Sequence, residues 1–202
     1  MKVRAMGQDT VERGQANRLG GAESGTGVLV FVVGPSGSGK DTLLSYARDR
    51  LRGREDIRFA RRRITRPAEA SEDHLPLDEA AFTRQVALGA FPLYWRANGL
   101  HYALGAEVAE DIAAGRVVVA NGSRAAVRQA RRSFANVRLV LVTAPPELLA
   151  ARIAARGREA GERIEQRLAR DPALDAPPDL TIVNDGAVEA AGERLVAFLS
   201  EL

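Results

Sequence analysis

Val28-Leu-Val-Phe-Val-Val33-Gly34-Pro-Ser-Gly-Ser-Gly39-Lys40-Asp41-Thr42 is the stretch on which the fold reading turns. Its first six residues are all apolar and rich in β-branched types. That pattern predicts a strand buried on both faces, as in the middle of a parallel sheet. The next seven satisfy G-x-x-x-x-G-K, and apolar positions at Leu43, Leu44, Ala47 and Leu51 then predict an amphipathic helix. Glycine at 34, 37 and 39, with Pro35, Ser36 and Ser38 between, lets successive backbone N–H groups turn toward one centre and form an anion nest. The helix that starts there adds its positive end, and Lys40 can reach the β- and γ-phosphates of a nucleoside triphosphate.

Strand and helix patterns alternate outward from this segment, which predicts an α/β fold with a central parallel sheet in three layers. A strand is expected within Ile57 to Ile64. A helix capped by Asp78 and closed by Gly89 follows, and another spans Glu107 to Ala114. Val117 to Ala120 reads as a strand and Ser123 to Phe134 as a helix. Val137 to Val142 is a strand, followed by a helix opening at Pro145-Pro146 and running to about Arg156. Gly161 to Arg170 reads as a helix, Leu180 to Val183 as the last strand and Ala187 to Leu199 as the closing helix. Residues 1–27 show no helical or strand period and read as a flexible N-terminal extension, so the domain is expected over 28–202.

Composition narrows the function classes. The 202 residues carry 29 basic and 26 acidic side chains, a net charge of +3, and no cysteine. Disulfides and thiolate metal sites are excluded, and a cytoplasmic location is expected. The arginines are dispersed and no aromatic-interleaved basic stripe occurs, so no nucleic-acid partner is expected. No apolar run is long enough for a membrane span. Oligomeric state is left open, with a homodimer among the options. Only Lys2 and Lys40 are lysine. A bias toward arginine reflects genome composition, yet one of the two lysines sits in the phosphate motif, where a compact point charge suits the geometry.

The motif has one irregularity. A Ser or Thr directly after the lysine ordinarily meets Mg²⁺; here Asp41 stands there, with Thr42 next. Two readings are open for Asp41: it holds a Mg²⁺-bound water, or it is a first-turn residue favoured by the helix dipole. Thr42 is the other candidate for the ion.

Gly34-Pro-Ser-Gly37 resembles the guanylate kinase branch of the P-loop nucleoside monophosphate kinases, and the resemblance runs over residues 28–200. Thr65-Arg66-Pro67, Asp73-His74, Phe91 to Tyr102, Arg152, Arg156-Gly157, Arg167-Leu168 and Val183-Asn184-Asp185 carry it. It implies small acceptor-binding and lid regions beside the sheet. The departures fall on the groups that read guanine. The loop Ala68 to Glu72 is short, with Glu69 near a second arginine's place. The Gly-Thr after the tyrosines is Ala103-Leu104, the Asp-x-Asp is Asn121-Gly122-Ser123, and a serine near the acceptor phosphate is Arg62. Losing buried hydrogen-bonding groups argues against a purine acceptor.

The changed set is similar to the ribose 1,5-bisphosphate phosphokinases of bacterial phosphonate breakdown. Gly34 to Asp41, Thr65-Arg66, Trp95 to Leu100, Asn121 to Arg124 and Asn184 to Gly186 match their pattern in order. The resemblance implies ATP and Mg²⁺, and a sugar-phosphate acceptor converted to 5-phosphoribosyl 1-diphosphate. Lys40, Arg156 and Arg167 would be catalytic, with Arg152 nearer the nucleotide. Arg62, Arg66, Tyr102, Asn121, Ser123 and Arg124 would meet the acceptor. Any one of these arginines could instead be a solvated surface charge. His74 and His101 read as structural or peripheral, and Trp95 as a packing residue. The other readings are a nucleoside monophosphate kinase, a small-molecule kinase of gluconate or shikimate type, and a guanylate-kinase-like interaction module that has lost catalysis.

Overall fold

The computed structural model describes residues 27–67, 73–155, 174 and 176–202. Strand β1 (Val28–Val33) lies at the centre of a five-stranded sheet, between β7 (Val117–Asn121) and β8 (Val137–Thr143). Strand β2 (Ile57–Phe59) extends the sheet beyond β7, and β9 (Leu180–Val183) extends it beyond β8. Every pairing in this sheet is parallel.

All six β1 residues are buried because the strand alternates between two cores. Val28, Val30 and Val32 pack with Leu43, Leu44 and Ala47 of α1 (Lys40–Arg50) and with Leu195 and Leu199 of α6 (Val188–Ser200). Leu29, Phe31 and Val33 face the opposite side, among Val108 of α3 (Ala106–Ala113), Val127 of α4 (Val127–Ser133) and Trp95. A strand with apolar partners on both faces has no use for alternation, which explains the unbroken run. Helix α5 (Pro146–Ala155) follows β8.

A second sheet packs beside this one, sharing the core of Leu29, Phe31 and Val33 through Leu93, Trp95 and Leu104. It comprises β3 (Arg62–Ile64), β4 (His74–Pro76), β5 (Leu93–Ala97) and β6 (Leu100–Leu104), in the order β4-β3-β6-β5. Strands β5 and β6 form a two-residue hairpin whose turn, Asn98-Gly99, has positive φ at both positions (51° and 77°). That is the turn geometry whose twist matches paired strands. Helix α2 (Glu79–Ala87) starts where Asp78 accepts a hydrogen bond from the Ala81 N–H at 2.6 Å.

Two sequence expectations need correction. Ile57 to Ile64 is two strands in two sheets, divided at Ala60-Arg61. Ile57 is buried against β7, but Arg61, Arg62 and Arg63 in succession cannot be covered on both faces, so the chain leaves the sheet. The segment from Ser123 to Phe134 opens as a 3₁₀ turn (Arg124–Ala126) before α4, because Ser123 makes no side-chain cap. The expected helix Gly161 to Arg170, residues 68–72 with Glu69, and the extension up to residue 26 lie outside the described residues.

Arg63 and Glu107 tie the second sheet to α3 by a bidentate pair at 2.7 and 3.1 Å. Burial is the largest single influence and would raise the Glu107 carboxyl, but the Arg63 hydrogen bonds, a backbone hydrogen bond and the Arg63 charge together outweigh it and hold the group below its ordinary value. A depressed carboxyl stabilises above its unfolded-state pKa, and that stability is lost as pH falls through the folded one. The Glu107 side chain is 47% exposed, so solvent screening limits the effect to about 1 kcal/mol at most. Glu107→Gln is therefore expected to lose at most about that much at pH 7 and progressively less as pH falls below the ordinary carboxylate range, read by urea denaturation across that range.

Candidate active site

The phosphate loop closes around the head of α1. Lys40 Nζ donates to the carbonyls of Gly34 and Pro35, each at 2.9 Å, and to Ser38 Oγ at 3.4 Å. The ammonium is thus already drawn over the loop's concavity. Asn184, at the end of β9, braces the far side: its Nδ2 donates to the Ser38 carbonyl at 2.8 Å. Gly39 sits against that amide with φ of 86°, and a Cβ there would collide with Asn184 Nδ2. Any other residue at 39 would displace the brace and be strained besides. Arg152 supports the same point from α5, donating to the Asn184 carbonyl at 2.9 Å.

Beside the loop, three residues far apart in sequence meet. Asn121 Nδ2 donates to Asp41 Oδ1 at 2.6 Å, and Arg62 Nη2 reaches the same oxygen at 3.3 Å. Asn121 is only 6% exposed, and its own Oδ1 is buried without a hydrogen-bond partner. A buried acceptor left unpaired costs about 1–3 kcal/mol. The cost falls on the residue whose other end grips Asp41. Asp41's side chain is 57% exposed and lines the neighbouring cleft, and both bonds land on Oδ1, leaving Oδ2 outside this pair of contacts. A hard oxygen donor of this kind, beside a triphosphate nest, fits Mg²⁺ held through water.

A cleft of about 310 Å³ joins these parts to the second sheet. The phosphate loop and the head of α1 contribute Gly34, Ser36, Gly37, Gly39, Lys40 and Asp41 to its lining; the second sheet and the turn after β3 contribute Arg62, Arg66 and Tyr102. Its floor includes Asn121, Gly122 and Ser123. Trp95 stacks on Tyr102 at 5.5 Å and 8°, and the Arg62 guanidinium lies 5.8 Å from the Tyr102 ring centre. Trp95 is buried, as its packing role requires, and also forms part of the wall.

Several expected residues stand elsewhere. Pro35 and Ser38 are buried within the loop and serve its shape. Thr42 is exposed and does not line the cleft, because one helical step turns it about 100° from Asp41. Arg124 is also outside the lining; burial pulls its guanidinium below the ordinary range, though arginine stays charged. His74 is buried, with Nε2 3.4 Å from the Arg66 carbonyl. His101 stacks on Phe82 and meets Glu79 at 2.8 Å. Arg156 and Arg167 lie outside the described residues. Asn184, Ile64, Asn98 and Leu100 had no assigned role from sequence, yet the first braces the loop and the others line the cleft.

Comparison with known proteins gives this geometry relatives. Residues 30–172 match the family described as an AAA domain. The chain is 53% identical over 177 residues to "Ribose 1,5-bisphosphate phosphokinase PhnN" of Laribacter hongkongensis, covering 87% of this chain and 43% of that protein. It is 53% identical over 173 residues to the protein of the same name from Methylobacterium radiotolerans, covering 86% of this chain and 97% of that one. A crystal structure of guanylate kinase from Anaplasma phagocytophilum superposes with a TM-score of 0.63 at 18% identity. It covers 88% of this chain and 86% of its own, and it is a likeness of fold. With more than half of aligned positions identical along nearly the full length of the Methylobacterium protein, the chain belongs to the ribose 1,5-bisphosphate phosphokinase family, on the AAA-domain fold.

Proposed function

We propose that this chain transfers the γ-phosphoryl group of ATP to the 1-phosphate of ribose 1,5-bisphosphate, forming 5-phosphoribosyl 1-diphosphate and ADP. The observation that carries the reading is a single cleft lined both by the phosphate nest with Lys40 and by Arg62 and Arg66. Anionic groups are drawn in by both. An oxygen of the 1-phosphate bonds to the γ-phosphorus, the bond from that phosphorus to the β–γ bridging oxygen breaks, and ADP leaves with the electron pair. The attacking oxygen is ionised at neutral pH, so the chain needs no general base. Its task is alignment and neutralisation.

Lys40 and the loop N–H groups hold the donor, braced by Asn184 and Arg152. Arg62 and Arg66 hold the acceptor's phosphate against them, with Tyr102 as the wall. Asp41 would hold Mg²⁺ through water, and the ion would supply neutralisation of the donor's phosphate charge. Arg156 and Arg167 belong to this reading as groups that stabilise the transferring phosphoryl. Two observations favour a sugar over guanine. Ala103 and Leu104, where guanylate kinases resembling this chain carry Gly-Thr, are wholly buried. Asn121, at the Asp-x-Asp position, spends its amide on Asp41.

The test is ADP release with ribose 1,5-bisphosphate, GMP, AMP and gluconate offered in parallel. Turnover is expected with the bisphosphate alone, giving 5-phosphoribosyl 1-diphosphate by ³¹P NMR. Turnover of GMP and not of the bisphosphate would replace this reading with a nucleotide kinase; turnover of none would favour an interaction module.

A further inference from the structure

We infer that Asn121 is a positioning residue for the cation that accompanies ATP, acting through Asp41. The inference rests on the reading of Asp41 as the group that holds Mg²⁺ through water. A carboxylate on the first turn of a helix has a free side-chain torsion, and the same helix offers it competing partners in its own N–H groups. Left alone, it would divide its time between the helix end and the cleft. Asn121 removes that freedom.

The bond to Oδ1 is short, 2.6 Å, and comes from a side chain that is itself buried at the end of a central strand. Arg62 reaches the same oxygen at 3.3 Å, from a side chain that also lines the acceptor side of the cleft. Of the two, Asn121 is the closer anchor and Arg62 the one with a second task. When Arg62 turns to an acceptor phosphate, Asn121 alone keeps Oδ1 in place and so fixes the carboxylate's orientation. Asn121 commits its donor nitrogen to Asp41. It acts as an outer-shell partner that orients a ligand-holding carboxylate.

The experiment measures cation affinity with no acceptor present, so it does not depend on which acceptor is phosphorylated. Mn²⁺ is titrated by EPR into the full chain saturated with a non-hydrolysable ATP analogue, and analogue affinity is measured separately in excess EDTA. Asn121→Ala is expected to weaken Mn²⁺ roughly 10–100-fold, the usual range for an outer-shell partner. Metal-free analogue binding should stay within about twofold, which also reports that the loop has folded. In an Asp41→Ala background the Asn121 change should add nothing. The exchange Asp41→Asn with Asn121→Asp, which moves the carboxylate across the 2.6 Å contact, should recover part of the lost Mn²⁺ affinity. Equal losses with and without metal would overturn the inference, leaving Asn121 a brace for the loop. So would additive effects in the double variant, or an Asp41→Ala chain that binds Mn²⁺ like the parent. Loss of turnover with ribose 1,5-bisphosphate while these cation results hold would count against the proposed reaction alone.

Discussion

Lys40→Met is expected to lower kcat roughly 10³-fold while leaving the melting temperature within a few degrees of the parent. The size follows from what the ammonium opposes. Charge moves onto the bridging oxygen and the γ-phosphoryl oxygens as the bond breaks, and a fixed cation there acts on the transition state more than on the bound donor. Arginines serving such charge are worth roughly 10³–10⁵, and single neutral donors roughly 10²–10³; a lysine that is only partly desolvated belongs between them. The fold should tolerate the change because Lys40 is half-buried and methionine keeps the length of its apolar stem. Lys40→Arg should not restore the rate. The two carbonyls at 2.9 Å converge on one point, which fits a tetrahedral ammonium and not a planar fork. Single-turnover kinetics with saturating ATP and acceptor measure the effect. A loss smaller than tenfold, or full rescue by arginine, would mean that the loop amides alone carry the donor.

The phosphate side of the site is legible in the chain because its determinants are local. Strand, nest, lysine and helix follow one another from Val28 to Leu51, and each leaves a composition or spacing that physics demands. Asp78 and Gly89 mark α2 in the same way. The acceptor side is not legible by those means. Strands β3 and β4 have three residues each, too few for a period, and β4 ends on Pro76. What holds them is pairing with partners up to about forty residues away, such as Arg63 with Ala103. One signal was open to a closer reading: Leu93 to Ala97 alternates buried and exposed up to Trp95-Arg96, and Asn98-Gly99 is the strongest short hairpin turn. Asn121 is a different case. Its partner Asp41 lies 80 residues earlier, and no local pattern links a strand-end amide to a first-turn carboxylate. Only the parallel pairing of β1 with β7, which sets the two strand ends side by side, brings them together.

That same pairing makes Gly122 a tightly constrained position outside the phosphate loop, and Gly122→Ala should weaken both the fold and the acceptor side. Gly122 N–H donates to the Val32 carbonyl at 2.8 Å, which presses the backbone onto the Phe31 ring. A Cβ at 122 would come within 3.0 Å of three atoms of that ring. Phe31 is fully buried in the central strand, so the ring has no open space to enter. Overpacking of this kind costs about 1–3 kcal/mol, or roughly 2–12 °C in Tm for a chain of this size. The ring's aromatic neighbour is Trp95, whose plane it meets edge-on at 6.0 Å and 87°, so a displaced ring would press on it. Trp95 in turn stacks on Tyr102, the wall beside Arg62. The strain therefore travels toward the acceptor, and KM for the acceptor should rise several-fold while KM for ATP changes little. Combining Gly122→Ala with Phe31→Leu separates this route from general damage, since a smaller side chain makes room for the added methyl. The double variant should be more stable than the sum of the two single losses predicts. Strict additivity, or an acceptor KM that stays raised once stability returns, would show that Gly122 matters for a reason other than the Phe31 ring.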